Sequence, residues 1–182
     1  SMMQYAPVAN LPMYWRLKEL RLLGNYHLLI ASEVVKDVDA WKDFWLTASD
    51  PEPPFIIMDN GLIELGYPCD PETLKIAAEA VQANCIVLPD VLGDYEKTLK
   101  AVKSSYHELS RLGYPMLGVV QGRTFEQVDT LVEFYEHIGV AYISIPRVMV
   151  SIFGSRIPLV KRVASHGLPI HLLGFSDNLY DD

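Results

Sequence analysis

The sequence predicts an α/β protein of the (β/α)8 TIM-barrel type, and three observations carry the prediction. Five short apolar runs each end in a polar group: FIIMDNG at 55–61, CIVLPD at 85–90, MLGVVQG at 116–122, YISIPR at 142–147 and HLLGFS at 171–176. Their polar groups Asp59, Asp90, Gln121, Arg147 and Ser176 are 31, 31, 26 and 29 residues apart, and a strand, a crossover helix and two short loops need roughly 30 residues. Between the runs, apolar residues recur at helical spacing. Parallel strands carry their working residues at their carboxyl ends, so one rim is expected to gather two carboxylates, an amide, a guanidinium and a hydroxyl.

Taken in order, YHLLIASEV at 26–34 reads as the first strand and 38–46 as an amphipathic helix. SDPEPP at 49–54 is a loop into the strand near 55. Helices are expected at 71–83, 94–112, 124–138 and 155–165, alternating with strands near 85, 116, 142 and 170. The second of these helices places Leu99, Val102, Tyr106 and Leu109 at helical spacing and stops at Gly113. Thr124 followed by Gln127 is a capping-box pattern for the third. One local signal competes: an Asn-Gly pair between IIMD and LIEL marks a type I′ hairpin, under which Asp59 and Glu64 are merely strand-end charges. The count reaches about six strand–helix units, or seven with a strand around 4–8, whereas a closed barrel has eight in ~250 residues. The expectation is a single barrel-like domain over 1–182, cut short at its C-terminal end. Ser1 ahead of Met2 reads as a tag-cleavage scar.

Composition bounds the function. With 50% hydrophobic and 21% charged residues among 182, the chain has the makeup of a globular protein with a substantial core. No apolar run approaches the ~20 residues of a membrane span, and the start SMMQYAP lacks secretory-signal features; the expectation is a cytoplasmic protein with no membrane partner. Cys69 and Cys85 form no CxxC or Cys/His cluster, so neither a metal nor any other cofactor is expected. A net charge of −8 opposes indiscriminate attraction to nucleic acid. Two local basic stretches stand out: Arg147, Arg156, Lys161 and Arg162, and Arg16, Lys18 and Arg21. Each is either a phosphate-contacting patch or a solvated helix face.

Among the candidate site residues, Asp59 is followed by Asn60 and Gly61, so the backbone turns and leaves the carboxylate beside a small loop. Asp90 closes CIVLP, and a carboxylate there can accept two N–H bonds from the edge of a guanine-type base. Asp94, four residues on, reads as the cap of the next helix. Gln121 ends an otherwise apolar strand, where an amide is hard to explain as core filling, and Gly122 allows close backbone approach. Arg147 either binds phosphate or pairs with an acid on the rim. His27 and His171, early in apolar strands, read as core or bottom-face histidines. Trp41, Phe44 and Trp45, with Phe134 and Tyr135, read as core packing.

The stretch LGVVQGRTFEQVDTLVEFYEHIGVAYISIP followed by PIHLLGFSDNLYDD resembles the queuine and archaeosine tRNA-guanine transglycosylases, whose pattern runs GIVQGG, a helix, GYAIGG, a helix, then a YLMGVG strand. MDNG stands where that family has DSGG, and LPD where it has an aspartate closing the strand. The DNG form, the LPDVLGD segment and the lack of cysteine ligands are closer to the phage-type relatives that insert 7-deazaguanines into DNA. The resemblance covers most of the chain from about residue 26. It implies a pentosyltransferase that exchanges guanine in DNA, or in tRNA, for a 7-deazaguanine. It implies that Asp59 contacts the base and assists proton transfer, with Asn60 and Gly61 lining the same loop. Asp90 would recognise the guanine-like edge, Gln121 and Gly122 its carbonyl, and Leu173 and Gly174 would form the floor. Ile145 and Pro146 replace the family's paired glycines, with Pro146 kept among the substrate-binding positions. Arg147 and Arg156 are the phosphate or nucleic-acid contacts. The family's nucleophile is a further aspartate on a strand beyond LLGFS, and no residue of this chain matches it.

Two rivals stand beside this reading. One is a non-catalytic module that binds guanine or a 7-deazaguanine. The other is an unrelated TIM-barrel enzyme acting on a phosphorylated small molecule, with Arg147 and the loop around Gly154 holding phosphate. No lysine at a strand end and no glycine-rich phosphate loop supports the latter. An open sheet edge would invite a partner, so a homo-oligomer stays open.

Overall fold

In a computed structural model of the chain, the described residues are 10–21, 23–47, 53–61, 66–67 and 69–171. They divide into two compact units, one running up to Ile86 and the other from Val87 onward. The architecture is mixed α/β. The strands follow one another in chain order, and the pairings of β1 with β2, β2 with β3, β4 with β5 and β5 with β6 are all parallel. Sequential order without a reversal is the connectivity of a (β/α) barrel and not of a doubly wound sheet.

The first unit opens with α1, Leu11–Glu19, which the sequence signals did not predict. Asn10 caps it by accepting a hydrogen bond from the Met13 N–H at 2.9 Å, and Pro12 occupies its first turn, where no N–H is needed. Strand β1, Tyr26–Ile30, ends sooner than the apolar run suggests. At Ala31 the chain turns helical, through α2 (Ala31–Val34), a 3₁₀ turn (Val35–Asp37) and α3 (Val38–Thr47). Ala31 and Val34 are buried at helical spacing, and Asp37 accepts from the Ala40 N–H at 3.1 Å at the start of α3. Tyr14 of α1 meets Trp41, Phe44 and Trp45 of α3 and His27 of β1, with ring centroids 5.3 to 6.2 Å apart. These rings form the predicted aromatic core.

Strand β2, Phe55–Asp59, runs parallel to β1 from Tyr26↔Phe55 to Ile30↔Asp59. Its other edge pairs in parallel with β3, Cys85–Val87, through Ile57↔Cys85 and Met58↔Ile86. With both edges taken, β2 has no edge left for an antiparallel partner, so Asn60-Gly61 does not close a hairpin on it. Helix α4, Pro71–Val81, is capped by Asp70, which accepts from the Thr73 N–H at 2.8 Å.

The second unit holds α5 (Tyr95–Ser110), β4 (Met116–Val119), α6 (Phe125–Ile138), β5 (Tyr142–Ser144), α7 (Val148–Phe153), α8 (Ile157–Ala164) and β6 (Ile170–His171). Asp94 caps α5 through the Lys97 N–H at 2.9 Å, as its position predicts. Thr124 caps α6 through the Gln127 N–H at 3.2 Å, while the Gln127 amide oxygen accepts from Arg123 instead of returning to Thr124. Gly118 of β4 faces α6, and a Cβ there would sit 2.6 Å from the Tyr135 ring. The Tyr135 hydroxyl donates to the Val119 carbonyl at 2.6 Å, so helix and strand are joined by ring contact and hydrogen bond together. Among the described residues no helix is long and apolar enough to cross a membrane. The expected strand at 4–8, Glu64, Leu173, Gly174 and Ser176 lie outside the described residues.

Candidate functional site

The second unit brings two predicted site residues into direct contact. Asp90, in the loop that follows β3, accepts a hydrogen bond from Gln121 Nε2 to its Oδ2 at 2.8 Å. Gln121, just past β4 and 0% exposed, accepts at Oε1 from the Gly93 N–H at 2.8 Å. Gly93 has φ +67°, a left-handed conformation that side chains disfavour. Thr98, in the first turn of α5, grips the same loop from the other end: its hydroxyl accepts from the Val91 N–H at 2.8 Å and donates to the Val91 carbonyl at 3.2 Å. The 90–94 loop is therefore fixed at both ends by buried side chains.

Burial raises the Asp90 carboxyl above its ordinary range, and the Gln121 hydrogen bond opposes that rise in part. No hydrogen bond reaches Asp90 Oδ1 from the described residues. An amide can donate two hydrogens and accept at two lone pairs, so Gln121 keeps one donor and one acceptor position beyond those it uses. Gly122 has a neighbour of its own, since a Cβ there would lie 3.2 Å from Gln127 Cβ. Close packing on α6 thus accounts for this glycine without a ligand.

No protein-family model matches the chain, and no curated protein matches it. Function must then be argued from the residues.

Pro146 is half-buried after β5, and its carbonyl accepts from the Met149 N–H at 3.1 Å. Arg147 is exposed at the start of α7. Arg156 is only 1% exposed and donates from Nη1 to the Ile145 carbonyl at 3.1 Å. Its guanidinium ties the approach to α8 to the end of β5 and has no solvent face to offer a phosphate. Arg162 forms a two-point pair with Asp129 at 2.6 to 2.9 Å and stacks over Phe125 at 5.0 Å. Of the basic stretch 147–162, Arg147 and Lys161 thus remain as exposed charges with no such ties. Lys18 of the other stretch lies over the Trp15 and Phe44 rings, 5.1 and 5.7 Å from their centroids.

In the first unit, Asp59 ends β2 half-buried, and Asn60 and Gly61 follow it buried. Gly61 has φ +77°, which accounts for a glycine in this turn. The Asn60 carbonyl accepts from the Cys69 N–H at 2.9 Å, bringing the segment before α4 back to the strand end. Burial, aided by the charges of Asp70 and Asp59, pushes the Cys69 thiol up to about 11. At neutral pH it is a protonated thiol and a poor nucleophile. Cys85 is buried and pushed up to about 12 by that burial. Among the described residues no group of His, Cys, Asp and Glu is arranged to hold a metal ion.

Two features had no strong sequence signal. A pocket of about 250 Å³ is lined by Leu92, Gly93, Asp94, Tyr95, Glu96, Arg123 and Gln127, on the same loop that Gln121 holds. Ser144, the last residue of β5, is 0% exposed, and its hydroxyl has no hydrogen-bond partner among the described residues.

Proposed function

We propose that the chain is a nucleobase transglycosylase of the (β/α)8 type, exchanging guanine in a nucleic acid, DNA in preference to tRNA, for a 7-deazaguanine. The observation that carries this reading is the Asp90 carboxylate, half-buried and held at one oxygen by Gln121 while its other oxygen accepts no hydrogen bond from the described residues. Adjacent N–H donors on a guanine-type edge complement such a carboxylate, and they would offset the desolvation that raises its pKa. Gln121, itself closed to solvent, orients that carboxylate from behind. Asp59 is assigned proton transfer, and Arg147 a backbone phosphate.

In the exchange, an enzyme carboxylate attacks C1′ and the C1′–N9 bond breaks. Its electron pair leaves on guanine, which takes a proton by way of Asp59. The incoming base gives up its N9 proton, bonds to C1′ and releases the carboxylate. The attacking carboxylate is not assigned to a residue of this chain. The target nucleotide has to leave its stack for this chemistry.

Radiolabelled guanine incorporation into DNA and into tRNA tests the reading, run with the full reading frame and with its Asp59→Ala and Asp90→Ala variants, since this chain by itself is expected to bind the base without the covalent step. Label should enter DNA and be lost in both variants. Base binding with label in neither polymer would make the protein a non-catalytic base-binding module. Absence of both binding and label would end the reading altogether.

A further inference from the structure

Thr98 is 0% exposed in the first turn of α5, and its hydroxyl accepts from the Val91 N–H at 2.8 Å and donates to the Val91 carbonyl at 3.2 Å. That reach is long for a helical threonine. Such a hydroxyl ordinarily bonds a carbonyl three or four residues back in its own helix, whereas this one spans seven residues. Capping does not account for it, since Asp94 already caps α5 through the Lys97 N–H. The Val91 N–H belongs to the planar peptide unit that joins Asp90 to Val91, so the bond to Thr98 fixes that plane and with it the ψ angle of Asp90. On the other side Pro89 has a locked φ, and the Leu88 N–H bonds the Leu117 carbonyl of β4 at 2.9 Å. The Val91 carbonyl accepts a second time, from the Asp94 N–H at 3.0 Å, closing a turn that contains Gly93. The backbone of Asp90 is thus held from both directions, and Gln121 holds the carboxylate itself.

Resting on the transglycosylase reading for its ligand, we propose that Thr98 is a positioning residue, which aims the half-buried Asp90 carboxylate at the base without touching the base itself. Without the hydroxyl the Asp90–Val91 peptide is free to turn, and the carboxylate loses the single direction in which Gln121 holds it. A wandering carboxylate binds only while it points correctly, so the apparent affinity falls by that fraction. Helix propensity favours alanine over threonine at such a position, and the helix itself therefore gives no reason for the hydroxyl. A Thr98 that served the loop alone would contribute stability and leave ligand affinity unchanged. The two roles are separable by experiment.

Thr98→Val keeps the shape of the side chain and removes the hydroxyl, whereas Thr98→Ser keeps the hydroxyl. Calorimetric titration of the full chain with guanine, at a temperature where all three proteins are folded, should show Thr98→Val binding about five- to tenfold more weakly, as for a competent orientation occupied about 10–20% of the time. Thr98→Ser should stay within about twofold of the unaltered protein. A second readout needs no ligand: in Thr98→Val the Asp90 carboxyl, followed by NMR titration, should fall toward its ordinary range as the freed loop admits water. Unchanged guanine affinity in Thr98→Val beside a lowered melting temperature, or Thr98→Ser as weak as Thr98→Val, would overturn the assignment and leave Thr98 a structural hydroxyl. If the unaltered protein binds no guanine, the transglycosylase reading falls and the carboxyl titration alone decides the positioning: an unmoved Asp90 pKa in Thr98→Val overturns it, and a fall sustains it.

Discussion

His27 should make the protein acid-labile over a definite range. It sits in β1 at 3% exposure, with ring centroids 5.5 Å from Tyr14 and 5.0 Å from Trp45. Burial lowers its pKa from 6.5 to about 4, against a smaller opposing effect of its hydrogen bond to the Gly24 backbone. A depressed histidine pKa means that the unfolded chain binds the proton more readily, so stability is full above pH 6.5 and falls as pH drops toward 4. A shift of about 2.5 units at 1.36 kcal/mol per unit gives a total loss of about 3 kcal/mol. That is a large fraction of the 5–15 kcal/mol typical of a domain. Urea unfolding of the protein and of His27→Phe at pH 7.5, 6.5, 5.5, 4.5 and 3.5 would measure it, because carboxylate titration is common to both and cancels in the difference. The wild type should lose about 3 kcal/mol more than the variant. Parallel stability curves from pH 7.5 to 3.5 would refute the burial argument.

Five further substitutions have outcomes set by contacts in the structure. Gly118→Ala should destabilise by about 1–3 kcal/mol in urea unfolding, because its Cβ would enter the Tyr135 ring, and Tyr135→Phe by about 1 kcal/mol through loss of the bond to Val119. Gln121→Leu should raise the Asp90 pKa further, since the amide is what opposes the effect of burial; a carboxyl titration by NMR showing no change or a fall would contradict this. Arg156→Met should lower the unfolding midpoint clearly, whereas Arg162→Ala, which breaks an exposed pair with Asp129, should leave it almost unmoved and less affected still in high salt.

What could be read from sequence was what is decided locally. The strand end at Asp59 and the positions of Asp90 and Gln121 two or three residues past β3 and β4 were marked by short apolar runs, and the caps at Asp94 and Thr124 by side chains within a few residues of the N–H they bind. The switch from β1 to α2 was hidden because Ile30, Ala31 and Val34 are apolar and buried in either conformation. Asn60-Gly61 carried a genuine turn signal, yet pairing on both sides of β2 decided the outcome, and such pairing is set by residues far along the chain. At the candidate site, Asp90 and Gln121 were each recognisable alone, but not as donor and acceptor to one another. Arg156 read as a surface charge because nothing in its neighbours in sequence announces its burial against the Ile145 carbonyl. Ser144 looked like an ordinary strand residue until its lack of a partner was visible.

The Gln121 amide can face only one way, since reversing it would set oxygen against the Asp90 carboxylate and N–H against the Gly93 N–H. That polarity makes the Gly93 amide proton a built-in gauge. Its exchange with solvent deuterium should be slow while the clasp is closed and slower still when a ligand anchors Asp90, so a single backbone signal would report occupancy of the site without any label on the base.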